Sequence, residues 1–294
     1  MGRIRIAARV AVAIGALLQG AGPTLAAEHY AGPIIDTHAH IRTSDDNGLT
    51  DEHPRGTAAL RALDQAAGVQ RSALIVMARK GDMAATRALN DALLAAVAAD
   101  PQHFYPIASV HPADGDAALS ELERLARLGV REIKLHPNSQ QFDVADPAVA
   151  RVTEKAGQLG MAVLFDSYNP LDTNQLGKLM MLSFQQPNTR FIFAHMGFTQ
   201  FRELQTLATM RKLGRGGNVW FDISAIAPAY AGSPVQPEFV WTLRRHGMDH
   251  VLMGSDWPVD TPATAVAAVR ALGLTADEER LVLHDNAAKL VGVD

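Results

Sequence analysis

The chain has 294 residues, 48% apolar and 20% charged, with a formal net charge of −4; this is ordinary globular usage and excludes a disordered or fibrous protein. No basic run offsets the slight acidity, so nucleic acid is not an expected partner. Zero cysteines exclude disulfide staples, a thiol nucleophile and thiolate metal ligands, leaving His, carboxylate or modified Lys for any metal.

The first stretch carries Arg3, Arg5 and Arg9, an apolar run over 10–18, and small residues up to Ala26. That is the anatomy of a secretory signal peptide, residues 1–26, with cleavage after Ala26 or alternatively Ala27. The apolar run falls short of the roughly 20 residues a membrane span needs. A mature domain over 27–294 is therefore expected in the periplasm or secreted, with no membrane attachment.

Short β-branched runs then alternate with helical stretches. "IIDTH" (34–38) is the first strand and "RSALIVM" (71–77) the second, followed by an Ala-rich helix over 83–99. "FYPIASV" (104–110) precedes a helix in which Leu119, Leu122, Leu125 and Leu128 keep helical spacing and Gly129 stops the run. "VREIKLH" (130–136), "MAVLFD" (161–166), "RFIFAH" (190–195), "VWFDIS" (219–224) and "HVLMGSD" (250–256) follow, each with a helical run behind it. "DEERLVLHDNAAKLVGV" reads as a closing helix. Strand and helix alternating eight times without hairpin dipeptides predicts parallel pairing and a single (β/α)8 TIM barrel of α/β class. An open doubly wound sheet is the alternative, but it favours a glycine-rich turn after the first strand, where this chain has "THAHIRTS".

In such a barrel the chemistry gathers at the carboxyl ends of the strands. His38 and His40 end strand one, Arg79 and Lys80 follow strand two, and His111 follows strand three. Lys134 and His136 end strand four, and Asp166, His195, Asp222 and Asp256 end strands five to eight. Imidazoles and carboxylates in one mouth make a credible site for a catalytic divalent cation. By alternation Asp36 shares the face of His38 and His40, one pleat below, and reads as a support for an imidazole or cation.

"IIDTHAHI", "GVREIKLHPN", "FIFAHMG", "NVWFDIS", "VLMGSDWP" and "DNAAKLVG" together resemble the amidohydrolase-related family of metal-dependent barrel hydrolases, the branch that also contains aminocarboxymuconate semialdehyde decarboxylase. The resemblance covers almost the whole mature chain. It implies His38, His40 and Asp256 as metal ligands and His195 as a catalytic acid/base or substrate-polarising group. Where single-metal relatives place a fifth-strand histidine, this chain has Asp166 in "VLFDSYNP". Asp can ligate zinc or manganese, so Asp166 is a candidate fourth ligand. Zinc is the first expectation, with manganese or iron as alternatives, and related lactonases work without metal.

Each position has a plainer reading. Asp256 could cap the following helix instead of acting as ligand and general base. His195 could be a core histidine. Lys134 fits either a carboxylated bridge between metals, as in two-metal relatives, or an ammonium that binds a substrate carboxylate. His136 precedes Pro137 and could only shape the turn; otherwise it contacts substrate. Arg79 is either solvated or an anion clamp with Lys80. Asp222 and Ser224 are expected to support His195, Asn286 to make structural hydrogen bonds, and Tyr168, Asn169 and Phe198 to be loop candidates for substrate contact.

The leading expectation is a hydrolase that activates water against an amide, ester or lactone carbonyl of a small-molecule substrate, one class of which bears a carboxylate. A decarboxylating carbon–carbon lyase and a non-catalytic ligand-binding barrel are the alternatives, and a homo-oligomer is left open.

Overall fold

The computed structural model of the protein describes residues 28–41 and 56–292; the expected signal peptide over 1–26 lies outside them. Eight strands run in chain order: β1 (Ile34–Asp36), β2 (Val69–Ile75), β3 (Phe104–Ser109), β4 (Glu132–Leu135), β5 (Ala162–Asp166), β6 (Arg190–Ala194), β7 (Val219–Asp222) and β8 (Val251–Leu252). Each pairs in parallel with the next, in the order β1 to β8. The ends of the sheet meet beyond the ladders: Thr37 N donates to Met253 O (3.0 Å), Asp256 N to His38 O (2.7 Å) and His40 N to Trp257 O (2.7 Å). The architecture is a TIM-barrel-like α/β fold, and the open-sheet alternative falls with those bonds.

Among the described residues the α-helices are α1 (Thr57–Ala67), α2 (Met83–Ala99), α3 (Asp116–Arg127), α4 (Pro137–Gln140), α5 (Pro147–Gln158), α6 (Gln175–Gln185), α7 (Gln205–Arg211), α8 (Ile226–Tyr230), α9 (Gln236–His246), α10 (Pro262–Ala271), α11 (Ala276–Arg280) and α12 (Asn286–Val291). Side-chain caps set several starts, because a carboxylate or hydroxyl satisfies an otherwise orphaned amide. Asp82 accepts from Ala85 N, Asp146 from Ala148 N and Thr261 from Thr264 N. Thr275 and Glu278 form a reciprocal capping box at α11.

Alternation along the strands divides the apolar residues between two clusters. Ile35, Ala73, Ile75, Ile107, Leu164, Ile192 and Leu252 fill the inside of the sheet, and Leu290 and Val291 of α12 pack against them. Val163, Phe165, Phe191, Phe193 and Phe221 lie in the outer cluster with helix residues such as Leu60, Leu93, Leu122 and Phe239. Truncating one of these buried phenylalanines to Ala costs about 3–5 kcal/mol, because a cavity adds to the lost transfer energy.

The strands are mostly shorter than expected, and two boundaries differ most. The second strand begins at Val69 rather than 71, and the eighth ladder is only Val251–Leu252. The first strand leaves its ladder after Asp36 because the chain bulges there: Asp36 is opposite Ser72 and His40 opposite Ile75, so four steps on one side meet three on the other. The extra residue reverses parity. Asp36 therefore shares a face with Ser72, whose hydroxyl bonds Asp64 of α1 (2.8 Å), and not with the histidines as alternation had implied. Its Oδ1 accepts from His38 N (3.0 Å) and Ser255 N (2.9 Å), tying the turn after β1 to the turn after β8.

A buried histidine links this packing to pH. His246 ends α9 with its ring 4.2 Å from that of Phe221, and burial, with the Arg211 and His250 charges, pushes it down to about 3. Unfolded, the imidazole takes a proton near pH 6.5; folded, it refuses one until about pH 3. Its contribution to stability is therefore complete above pH 6.5 and declines as pH falls toward 3, by ~1.4 kcal/mol per pH unit. Urea titrations at pH 7 and pH 5 are expected to show a smaller acid loss for His246→Leu than for the wild type; equal losses would remove His246 as the cause.

Candidate metal centre at the carboxyl end of the sheet

The bulge after β1 carries both imidazoles inward. His38 Nε2 lies 3.1 Å from His40 Nε2, and Asp256 Oδ1 lies 3.2 Å from the first and 3.5 Å from the second. The turn after β8 delivers Asp256 with a φ of 55°, a left-handed conformation that Asp tolerates better than most residues. Gly254 permits the approach, since a Cβ there would lie 2.6 Å from His38 Cβ. Gly254→Ala is accordingly expected to displace His38 and weaken metal binding severalfold, read by competition against a chromophoric chelator.

Asp222 organises the cluster from beneath. Its Oδ2 accepts the His38 Nδ1 proton at 2.7 Å, which leaves the Nε2 lone pair facing Asp256. Its Oδ1 accepts from Ser224 N (2.8 Å) and Ser224 Oγ. Ser224 Oγ in turn sits 3.0 Å from His195 Nδ1. One carboxylate thus fixes His38 directly and His195 through a hydroxyl; the sequence reading assigned it to His195 alone. Burial would raise Asp222, yet the His38 imidazole and the Ser224 hydrogen bonds hold it well below the usual carboxylate range.

A second group stands beside the first. Asp166 Oδ2 lies 3.4 Å from His136 Nε2 and 3.5 Å from His195 Nε2, and His195 Nε2 is 3.9 Å from Asp256 Oδ2. Burial would lower His195, but Asp166, Asp222 and Asp256 push it up to about 9. Burial would raise Asp166, and the same histidine holds it at about 2. Asp166 Oδ1 is buried without a hydrogen-bond partner among the described residues. His40, His136, Asp166, His195 and Asp256 line a cavity of about 550 Å³ with Arg79, Met77, Gln140 and Val259.

The expected residues thus separate by depth. Arg79 is exposed on the rim of this cavity. Lys134 is fully buried and does not line it; its Nζ lies 3.1 Å from His38 Nε2, beneath the cluster. His111, expected in the mouth, is a structural residue: Nδ1 accepts from Ala113 N and Nε2 bonds Gln140 O (2.7 Å). His136 does shape its turn, accepting from Ser139 N, and also faces Asp166. Asn286 bonds Met248 O and Val251 O (both 2.7 Å), as expected of a structural amide. Tyr168 and Phe198, with ring centroids 5.2 Å apart, and Asn169 stand outside the cavity lining. The role of Gln140 was missed by sequence reasoning; its amide donates to Ala78 O and Val110 O and fastens the loops after β2, β3 and β4.

The donor set fits a cation. Ligands at roughly 2.1 Å from a tetrahedral zinc stand about 3.4 Å apart, and the three separations among His38, His40 and Asp256 are 3.1 to 3.5 Å. Among the described residues, His38, His195 and Asp256 also offer ligand atoms that all lie within 4.8 Å of one another. Asp166 belongs to the neighbouring pair of histidines.

Residues 35–293 match the amidohydrolase family model. A 5-carboxyvanillate decarboxylase from Sphingomonas paucimobilis has 17% identity and a TM-score of 0.69, with 89% of this chain and 99% of that one covered. A protein assigned as a 2-pyrone-4,6-dicarboxylic acid hydrolase from Pseudomonas putida has 22% identity and a TM-score of 0.67, covering 89% and 98%. A dihydroxybenzoic acid decarboxylase from Polaromonas sp. JS666, with bound manganese and 2-nitroresorcinol, has 16% identity and a TM-score of 0.70, covering 88% and 97%. At these identities the likeness shows the fold alone. No curated protein matches the chain in sequence.

Proposed function

Because the chain belongs to the amidohydrolase family, a family of enzymes, we propose that it is a metal-dependent hydrolase acting on an amide, ester or lactone carbonyl. The observation that carries this reading is the division of labour in Asp256: Oδ1 sits against His38 and His40, while Oδ2 is turned toward His195, 3.9 Å away. His38, His40 and Asp256 would hold a divalent cation, which when bound would lower the pKa of a water toward 7 and polarise a carbonyl. Asp256 Oδ2 takes the water proton as general base. His195, kept protonated by the carboxylates around it, stabilises the developing oxyanion and donates to the leaving group. Asp166 holds His195 in place, and Arg79 and His136 on the cavity wall meet a substrate carboxylate.

Zinc suits two imidazoles and a carboxylate, and manganese is the metal bound in the Polaromonas neighbour. Elemental analysis of the purified mature chain is expected to find a stoichiometric metal, with activity lost on chelation and restored by the metal. A metal-free enzyme of full activity would point instead to the lactonase-like mode. Export remains part of the proposal: amino-terminal sequencing of periplasmic or secreted protein should begin at Ala27 or Glu28.

A second reading, decarboxylation of an aromatic or unsaturated acid, is favoured by the decarboxylases among the structural neighbours. The two reactions differ in products. Hydrolysis in 18O-labelled water puts the label into the acid product and releases no CO2, whereas the lyase releases CO2 and incorporates none of the label at carbonyl carbon.

A further inference from the structure

His195 heads the longest run of left-handed backbone among the described residues: φ is 59° at His195, 45° at Met196, 71° at Gly197 and 47° at Phe198. Residues with a Cβ disfavour this region, so a turn with three of them keeps its shape only where the surroundings impose it. The imidazole itself is held from two sides. Ser224 Oγ lies 3.0 Å from Nδ1, and Asp166 Oδ2 lies 3.5 Å from Nε2. Those contacts orient the ring and leave the backbone beneath it unconstrained.

The residue after Asp166 supplies that constraint. Asp166 pairs with Ala194 at the end of the β5 and β6 ladder, which sets the next residue, Ser167, beside the His195 turn. Ser167 is fully buried. Its hydroxyl donates to Ala194 O, just before His195, and accepts from Gly197 N (2.9 Å), two residues after it. One hydroxyl therefore closes over both flanks of the histidine. Between the two bonds Met196 is buried in the outer apolar cluster, which fixes the turn from its other side. Gly197 suits the closing position, since a Cβ there would lie 3.1 Å from Leu176 Cδ2. Replacing Ser167 by Ala removes both bonds at a buried position, and the turn is then free to relax toward ordinary backbone.

We propose that Ser167 is a positioning residue for the reaction, its hydroxyl locking the left-handed turn that aims His195 Nε2 into the cavity at the leaving group. Two neighbouring residues thus divide the task, with Asp166 facing the ring and Ser167 holding the backbone. The effect on catalysis rests on the proposed role of His195 as a proton donor; the effect on the placement of the ring does not.

A crystal structure of the mature Ser167→Ala protein reads the placement: His195 Nε2 is expected about 1 Å or more from its wild-type position, enough to cost about 100-fold in rate, with β5 and β6 unmoved. Steady-state kinetics with two acetate esters reads the consequence. The alkoxide of ethyl acetate needs a proton to leave and p-nitrophenolate does not, so the loss of kcat is expected to be about tenfold or more greater with ethyl acetate than with p-nitrophenyl acetate. A residue that served the fold alone would change both rates alike. Ser167→Thr, which keeps the hydroxyl, should restore the turn and the ratio of the two rates. Where the alanine variant does not fold, Ser167→Cys, of similar size and a weaker donor, takes its place in both measurements. A His195 turn that superposes on the wild type overturns the proposal, as do equal losses on the two esters. Wild-type protein inert toward esters, amides and lactones counts against the hydrolase reading and not against Ser167, whose clamp the crystal structure then decides.

Discussion

Asp256→Asn is expected to lower kcat by about 10³-fold or more while leaving the melting temperature and far-UV spectrum unchanged. The substitution suits the position because Asn shares the tolerance of Asp for the left-handed backbone found there, φ 55°. The amide oxygen still reaches the space between His38 and His40, so the cluster keeps its shape. What disappears is the proton acceptor on the His195 side, 3.9 Å from Nε2. Burial would raise the Asp256 carboxyl, but His38, His40 and His195 hold it well below the usual carboxylate range, so it is ionised and able to accept a proton at neutral pH. Steady-state kinetics with a carbonyl substrate, beside a melting curve, gives the answer: a variant that turns over at the wild-type rate removes Asp256 as the general base.

Asp222→Asn is expected to lower metal affinity by about 10- to 100-fold, through a tautomer rather than a lost ligand. Ser224 N and Oγ both donate to Oδ1, so the carbonyl of an asparagine must occupy that position. Its NH2 then faces His38 Nδ1, where the aspartate accepted a proton at 2.7 Å. His38 is forced to carry its proton on Nε2, the atom directed at His40 and Asp256, and a protonated nitrogen cannot ligate. Competition between the protein and a chelating dye measures the affinity, and the metal-free melting temperature separates this effect from unfolding. Undiminished affinity would show that the Asp222 hydrogen bond does not set the His38 tautomer. Asp222→Glu, which keeps an acceptor, should recover part of the loss.

Much of this centre was legible before any coordinates. Short continuous β-branched runs and helical spacing identified eight strands with helices behind them, because a strand buried on both faces is apolar throughout. The positions of His38, His40, His195 and Asp256 at strand tips then followed from parallel topology, in which carboxyl ends share one mouth. Lys134 was placed at the right strand without a depth: sequence gives the face of a residue, and the fully buried Nζ against His38 depends on how far the neighbouring strands are staggered.

By itself, then, the amino-acid order determined the strand count and the parallel arrangement, which depend on local periodicity, and its resemblance to a known family supplied the candidates for metal ligation; the helices number twelve among the described residues where eight were expected. Only the tertiary structure decided that one extra residue after Asp36 turns that carboxylate away from the histidines, that Asp222 reaches His38 as well as His195, and that Asp166 pairs with His136 and His195. A bulge, a hydrogen bond across 184 positions and the sharing of one carboxylate between two imidazoles arise from how strands register against each other. That register minimises the free energy of the whole packed sheet, and no short stretch of sequence contains it.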